Sequence, residues 1–141
     1  MCAFQYYEGT KDYIAATPAL ILTFRASGSV TGGQFVAFDA GNTGDVYNTG
    51  LAVASGSVVP AGFALMTKAT LTEVPVLVWG YAKNVPWLGA TSYAGNPVFI
   101  SGSSATTSAG IGIYVCGKVI TGSASGGTVV ALIDCMNVVR S

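Results

Sequence analysis

The apolar residues of this chain come in short runs of four to eight, and clusters of glycine and small polar residues separate one run from the next. No segment keeps the apolar period of about 3.6 residues that marks an amphipathic helix, whereas short apolar runs between turn residues are typical of buried β-strands. The pattern predicts seven strands, at 19–24, 34–39, 62–68, 73–80, 96–101, 112–119 and 128–134. Their number and spacing predict an all-β fold, a compact β-barrel or sandwich for which tulip-like and jelly-roll-like arrangements are both open.

The segments between these strands have the composition of turns. They are rich in Gly, Ser, Thr and Asn, which supply positive-φ backbone and side chains that bond locally. The clearest examples are 28–33, 39–45, 101–110 and 121–127. None of them marks a shift in composition, so residues 19–141 are predicted to form one domain.

Proline is unusual within a strand pattern, because it has no N–H to donate to a neighbouring strand. Pro75 lies inside the apolar run at 73–80. This position predicts either an edge strand or a bulge.

Two parts of the chain echo each other. A glycine followed at fixed offsets by two apolar residues occurs as Gly33, Val36 and Phe38, and again as Gly95, Val98 and Ile100. The apolar run at 73–79 is likewise similar to the run at 128–134. Such an echo suggests a duplicated β unit, and chance similarity between short apolar segments is the alternative.

Charged residues make up only 9% of the chain, and six basic residues balance six acidic ones. They stand singly along the sequence, so no cluster of cations is available for phosphates, and nucleic acid is not a predicted partner. Contacts with another protein are expected to be apolar and hydrogen-bonded, with little dependence on salt.

The start of the sequence, MCAFQYYEG, has neither a basic region nor an apolar stretch, so no signal peptide is predicted. No apolar run reaches the roughly 20 residues that a membrane-spanning helix requires. A membrane is therefore not a predicted partner.

The chain contains no histidine. Histidine is the commonest general base, a common metal ligand and the usual partner of a serine or cysteine nucleophile, so its absence argues against most hydrolytic mechanisms. The six carboxylates lie mostly in or beside turns, where capping explains Asp39 and Asp45 better than catalysis does. No enzymatic activity and no catalytic residue are predicted.

No metal or cofactor site is predicted either. The segment 39–45 offers oxygens from Asp39, Asn42 and Asp45 but lacks the closing glutamate of an EF-hand calcium loop. The glycines of 110–118 lie within a strand pattern rather than before a helix, so they do not form a phosphate-binding loop.

The three cysteines are odd in number and have no CxxC spacing, which argues against a disulfide framework or a zinc site. They are Cys2, Cys116 and Cys135. Cys116 and Cys135 are expected to be reduced thiols that fill the core.

Residues 1–18 differ from the rest, because their aromatic residues stand among polar ones without strand-like alternation. This predicts an N-terminal arm that carries Phe4, Tyr6, Tyr7 and Tyr13. Aromatic side chains bury a large area at modest entropic cost and are good anchors on a neighbouring subunit. Folding of the arm back onto its own barrel is the alternative.

Trp79, Tyr81 and Trp87 lie close together in the sequence. Exposed rings with polar neighbours could stack on a sugar. An apolar cap under a loop or a subunit interface is the preferred interpretation, because strongly apolar segments adjoin both tryptophans. With the arm aromatics, these three residues complete the set of candidate contacts with a neighbouring subunit or another protein.

Several segments resemble those of a known family in their order along the chain. Residues 6–19 resemble an arm with a short EG turn, and residues 27–38 resemble a glycine-led strand. Residues 73–87 resemble a central strand pair, and closing barrel strands are matched by 92–101, 111–119 and 126–134. The family they resemble is that of the small capsid decoration (cement) proteins of tailed bacteriophages.

The resemblance implies a compact β-barrel at 19–141 with an extended arm at 1–18. It implies a homotrimer that is made in the host cytoplasm, binds the major capsid protein on the outer surface of the virion head and stabilises the expanded shell. This chain differs from the family in its larger central loop, 48–62, and in its tryptophans, so the lattice contacts of the family do not carry over.

Two other classes of protein fit the same composition. A tail-tube or spike component would also be all-β and poor in charge, and it would form rings or filaments without shells. A carbohydrate-binding β-sandwich module would use Trp79, Tyr81 or Trp87 and would need those rings exposed.

Overall fold

The computed structural model describes residue 13 and residues 19–39, 43–48, 59–88, 91–101, 104–106, 114–123, 127–136 and 139–140. These residues form ten β-strands and no helix, which confirms the all-β prediction, and this part of the chain has no helix that could span a membrane. The strands are β1 (Leu20–Arg25), β2 (Phe35–Phe38), β3 (Val46–Asn48), β4 (Pro60–Ala64), β5 (Glu73–Pro86), β6 (Pro97–Ser101), β7 (Ser104–Thr106), β8 (Tyr114–Thr121), β9 (Thr128–Asp134) and β10 (Val139–Arg140). They belong to one curled antiparallel sheet.

All seven predicted strands are present, the one at 128–134 with the predicted bounds and the other six with shifted bounds. The largest shifts are at β4, which ends at Ala64, and at β5, which continues to Pro86. The prediction of a loop throughout 101–110 is wrong, because β7 lies within it, and the pattern also does not predict β3 or β10. These three strands have two or three residues each, too few to show a period, and backbone pairing with a neighbouring strand holds them.

Pro75 lies in an interior strand, so the prediction of an edge strand is wrong. β5 pairs with β1, β4 and β9, and its register shifts do not fall at Pro75. The Leu65 N–H donates to the Pro75 carbonyl at 3.0 Å. The N and C=O groups of one strand residue point to the same side, so the missing N–H faces the end of the β4 ladder, beside Leu65.

The sheet contains the same arrangement twice. Its strand order is β3-β2-β4-β5-β9-β8-β6-β7, so the path β3-β2-β4-β5 is repeated as β7-β6-β8-β9. Phe63 pairs with Leu77, and 55 residues later Lys118 pairs with Leu132. We call residues 20–80 the first unit and residues 81–135 the second unit. In the second unit, the second half of β5 occupies the position that β1 occupies in the first unit.

Hydrogen bonds outside the strand ladders repeat in the same way. In the first unit they are Ala26 N to Thr72 O, Val30 N to Lys68 O, Gly33 N to Ala64 O and Ala64 N to Gln34 O. In the second unit their counterparts are Trp87 N to Gly127 O, Ser92 N to Ser123 O, Gly95 N to Val119 O and Val119 N to Asn96 O. The duplicated β unit suggested by the sequence is therefore present in the structure.

Each unit has an apolar interior built from equivalent positions. The equivalent buried pairs are Ala26 and Trp87, Val36 and Val98, Ala61 and Cys116, Ala64 and Val119, Val74 and Val129, Val76 and Ala131, and Val78 and Ile133. Burying each of the valine or isoleucine side chains contributes about 1.5–3 kcal/mol. The first interior uses mostly alanine and valine, whereas the second holds the larger Trp87 at one end.

A glycine bulge recurs at the same place in both units. Gly62 on β4 has φ 156° and Gly117 on β8 has φ 140°, values that disfavour any side chain. A Cβ at Gly62 would overlap the carbonyl oxygen of Leu77, and a Cβ at Gly117 would overlap that of Leu132. The register shifts of β4 against β2 and of β8 against β6 adjoin these glycines. The lack of a Cβ lets β4 approach β5 and β8 approach β9 closely.

The curled sheet of the first unit closes where β1 meets β3. Ala26 forms a parallel bridge with Val46, and the Ser27 N–H donates to the Val46 carbonyl at 2.8 Å. Beside this bridge, Arg25 Nη2 donates to Asp45 Oδ2 at 2.8 Å and Arg25 Nε donates to Asp45 Oδ1 at 3.1 Å. This bidentate ion pair stabilises the contact between β1 and β3, which are distant in sequence.

We expect Gly117→Ala to destabilise the chain by on the order of 3 kcal/mol or more, because the added methyl group meets a backbone oxygen that cannot move without breaking the β8–β9 ladder. Gly62→Ala should have a similar effect. Gly28→Ala is the control, since nothing lies within 4 Å of a Cβ there. Urea denaturation measures the difference, and equal midpoints for Gly117→Ala and Gly28→Ala would contradict the assignment of the bulge.

We also expect Asp45 to contribute to acid sensitivity. Its hydrogen bonds from Arg25 hold the pKa of the Asp45 carboxyl below its ordinary value, although burial partly opposes them. Such a group stabilises the fold above its unfolded pKa, and this contribution is lost as the pH falls through the folded pKa. Asp45→Asn should therefore lower the denaturation midpoint at neutral pH and flatten its decline between about pH 5 and 2. The exposed Asp39→Asn is the control, and an unchanged slope in Asp45→Asn would refute this role.

Candidate contact surface

The described residues do not assemble a metal site. No group of three or more Cys, Asp or Glu side chains among them is placed to hold an ion. In the segment 39–45, Asp45 is hydrogen-bonded to Arg25, and residues 40–42 lie outside the described part of the chain. The candidate functional feature is therefore a surface, and β5 is central to it.

The middle of β5 alternates between buried and partly exposed residues. Trp79, Tyr81 and Lys83 are partly exposed, whereas Gly80 and Ala82 are buried. Successive side chains of a strand point to opposite faces. Trp79 and Tyr81 therefore share an outward face of the sheet.

The neighbouring strands extend this face. Tyr81 pairs with Leu132, Leu132 pairs with Lys118, and Trp79 pairs with Asp134. Directly opposed residues of paired strands have their side chains on the same face. Ile120, two residues beyond Lys118 on β8, is 43% exposed while Val119 between them is buried. We call this set the second-unit outer face: Trp79, Tyr81, Lys118, Ile120, Leu132 and Asp134.

The equivalent positions in the first unit are covered. Lys118, Ile120 and Leu132 correspond to Phe63, Leu65 and Leu77, and all three of these are at most 1% exposed. Phe63 packs edge-on against Phe35 with ring centroids 5.2 Å apart, and against Tyr13 with centroids 5.8 Å apart. The same surface of the fold is thus core in the first unit and solvent-facing in the second.

Tyr13 packs against the barrel of its own chain rather than extending away from it. Its carbonyl accepts a hydrogen bond from the Lys83 N–H at 2.9 Å, and its ring lies over Gly33, where a Cβ would overlap it. For this residue the structure agrees with the alternative in which the arm folds back. Phe4, Tyr6 and Tyr7, with most of the predicted arm at 1–18, lie outside the described residues.

Trp87 is not on the contact surface. It is 3% exposed, packs in the interior of the second unit and donates its backbone N–H to the Gly127 carbonyl at 2.9 Å. The register of β5 against β9 shifts between Ala82 and Val85, and Asn84 there has φ 57°. This bulge reverses the alternation, so Trp87 points inward. A sugar-stacking platform of all three rings is therefore not formed.

The sequence analysis did not identify Lys118, Ile120 or Leu132 as surface residues of interest. The signal that could have found them is the internal echo. Aligning 73–79 with 128–134 places a lysine where the first unit has Phe63, and such a replacement indicates a change from buried to exposed.

Comparison with known proteins finds a structural likeness. No family model and no curated protein matches the chain. The fold is similar to the solved structure of the head fiber gp8.5 N base of bacteriophage phi29, with a TM-score of 0.52 and 13% sequence identity. The similarity covers 84% of this chain and 96% of that one. At this identity the likeness concerns the all-β fold.

The two tryptophans should differ in their fluorescence. In Trp87→Phe, the remaining partly exposed Trp79 should emit at longer wavelength and be quenched readily by iodide. In Trp79→Phe, the buried Trp87 should emit at shorter wavelength and resist quenching, because the quencher cannot reach it. Each variant is the control for the other, and equal quenching of both would contradict the placement of Trp87 in the core.

Proposed function

We propose that the chain is a structural protein of a tailed-phage head, and more narrowly a decoration (cement) subunit that binds the major capsid protein on the outer surface of the shell as a homotrimer. The observation that carries this proposal is the likeness of fold to a phage head fiber base over most of both chains. The absence of histidine and of a metal-binding group among the described residues is compatible with a role that needs no catalysis.

The second-unit outer face is the surface we assign to subunit or capsid contact. It combines half-exposed aromatic and aliphatic side chains, Trp79, Tyr81, Leu132 and Ile120, with single charges at Lys118 and Asp134. Interfaces of this kind gain affinity mainly from a few buried aromatic or apolar anchors. Because charges are sparse, binding should change little with salt.

The arm adds a second contact in this proposal. Tyr13 attaches the root of the arm to its own barrel through Phe63 and Lys83. The arm before this attachment would contact a neighbouring subunit through Phe4, Tyr6 and Tyr7. In a trimer, three such arms surround one axis, so modest contacts per chain act together.

The physical effect of such a subunit is a shift in equilibrium. A protein that binds the expanded shell better than the immature or ruptured shell favours the intact form. At about 100 times its dissociation constant, a bound ligand stabilises its target by roughly 2.7 kcal/mol per site. Many equivalent sites on one shell add such increments.

A second candidate is the base of a head fiber, and the printed description of the structural neighbour favours it. Both candidates place the protein on the virion. Electron microscopy of heads that carry the chain distinguishes them, because a decoration subunit occupies many lattice positions whereas a fiber base carries a projecting fiber.

The test is binding to purified heads of the parent phage. Lys118→Glu combined with Ile120→Ser should weaken co-sedimentation with expanded heads by about tenfold or more, because both changes disrupt the assigned face. Leu71→Ser is the matched control, since Leu71 is 69% exposed on the β4–β5 turn rather than on that face. Native mass spectrometry of the unmodified chain should give a trimer.

Removing residues 1–12 in the same assay separates the contribution of the arm from that of the barrel. A monomeric chain that does not co-sediment with heads would rule out the decoration role. Equal binding by the face variant and Leu71→Ser would rule out the assigned surface.

A further inference from the structure

Two thiols meet in the second unit. Cys116 lies on β8 and is fully buried, and Cys135 directly follows β9 and is partly exposed. The Cys116 thiol is hydrogen-bonded to the Cys135 side chain. The backbone of Cys135 is held in place, because its N–H donates to the Val78 carbonyl at 2.9 Å. Cys116 fills the core, as the sequence predicts, whereas Cys135 is only partly buried.

The strand register brings the two residues within disulfide range. Gly117 pairs with Ile133 and Lys118 pairs with Leu132, so Cys116 and Cys135 are one residue out of direct register. Paired strands lie about 4.8 Å apart and rise about 3.4 Å per residue, which places the two Cα atoms about 6 Å apart. Disulfides usually join Cα atoms about 4.4–6.8 Å apart. Cys135 also packs against the buried cluster that contains Cys116, so both side chains lie on the same side of the sheet. Closure therefore requires rotation of side chains rather than movement of a strand.

The internal repeat indicates that the thiols are not required for packing. With the same offset of 55 residues, the counterparts of Cys116 and Cys135 in the first unit are Ala61 and Gly80. Ala61 is buried in the interior of the first unit just as Cys116 is in the second. One unit thus folds with small inert residues where the other has two sulfurs.

We propose that Cys116 and Cys135 are a disulfide-forming pair, which closes when the folded chain meets a small-molecule disulfide such as oxidised glutathione. Cys135 reacts first because it is the more exposed thiol. It loses its proton to solvent, and its sulfur attacks one sulfur of oxidised glutathione, which releases one glutathione thiolate. Cys116 then attacks the Cys135 sulfur and releases the second glutathione.

Electrons and protons balance in this thiol–disulfide exchange. The two protein thiols lose two electrons and two protons, and one molecule of oxidised glutathione becomes two molecules of reduced glutathione. The hydrogen bond to Cys135, together with burial, raises the pKa of the Cys116 thiol, so Cys116 keeps its proton until the mixed disulfide forms. The product would link β8 to the end of β9 covalently. This inference does not depend on the proposed function.

The experiment uses the full chain with Cys2→Ser, which leaves only the proposed pair. Incubation of the folded protein with oxidised glutathione should remove two titratable thiols and the mass of two hydrogens, and peptide mapping should link Cys116 to Cys135. The thermal midpoint should rise by about 10 °C, because the link restricts the unfolded chain, and dithiothreitol should reverse the rise.

Cys116→Ala is the matched variant, since it places in the second unit the residue that the first unit uses. It should fold, retain one glutathione adduct at Cys135 and show no rise in midpoint. The inference is wrong if the folded Cys2→Ser chain keeps both thiols, if it stops at the glutathione adduct, or if the closed form has an unchanged or lower midpoint.

Discussion

The structure depends on the backbone pairing of one long strand, β5. Its first half pairs with β1 and β4, and its second half pairs with β9, so the two units share a single strand. The pairing of Trp79 with Asp134, extended by the hydrogen bond from the Cys135 N–H to the Val78 carbonyl, sets where one unit ends and the other begins. A slip of one residue would exchange the buried and exposed faces along the whole strand, so this register determines both interiors and the outer surface.

The two units use one backbone plan for different purposes. At equivalent positions the first unit has Phe63 and the second has Lys118, and only the first is buried. Phe63 shares one buried cluster with the interior of the second unit, which covers the first face. Burying the ammonium group of Lys118 without a partner would be costly, which favours its position in solvent. The contacts of Tyr13 complete the cover over the first face. Differences in side chains, on a backbone that is repeated, therefore create one covered and one open surface.

The sequence predicted the elements whose identity is encoded locally. Long apolar runs located the seven main strands, and the echo between 73–79 and 128–134 located the repeat, because both depend on residue types along the chain. The short strands β3 and β7 form only when β2 and β6 are present to pair with them, so no local pattern reveals them. Trp79 and Trp87 have similar neighbours in sequence, and only the register shift after Ala82 sends one outward and the other inward. A bulge of this kind depends on the partner strand and is not evident from alternation alone.

The covering of one face also limits how the chain can assemble. A protein with two equivalent open faces could bind a neighbour through each of them, and such head-to-tail contacts give open-ended filaments unless the rotation closes. In the first unit the face is already occupied by Tyr13 and by the interior of the second unit, with which Phe35 and Phe63 share one buried cluster. Of the two equivalent surfaces, therefore, only the second-unit outer face is open to a partner. A single such face per chain is compatible with docking onto a lattice, whereas the proposed trimer also needs a second, different patch on each chain, because a threefold ring is built from head-to-tail contacts.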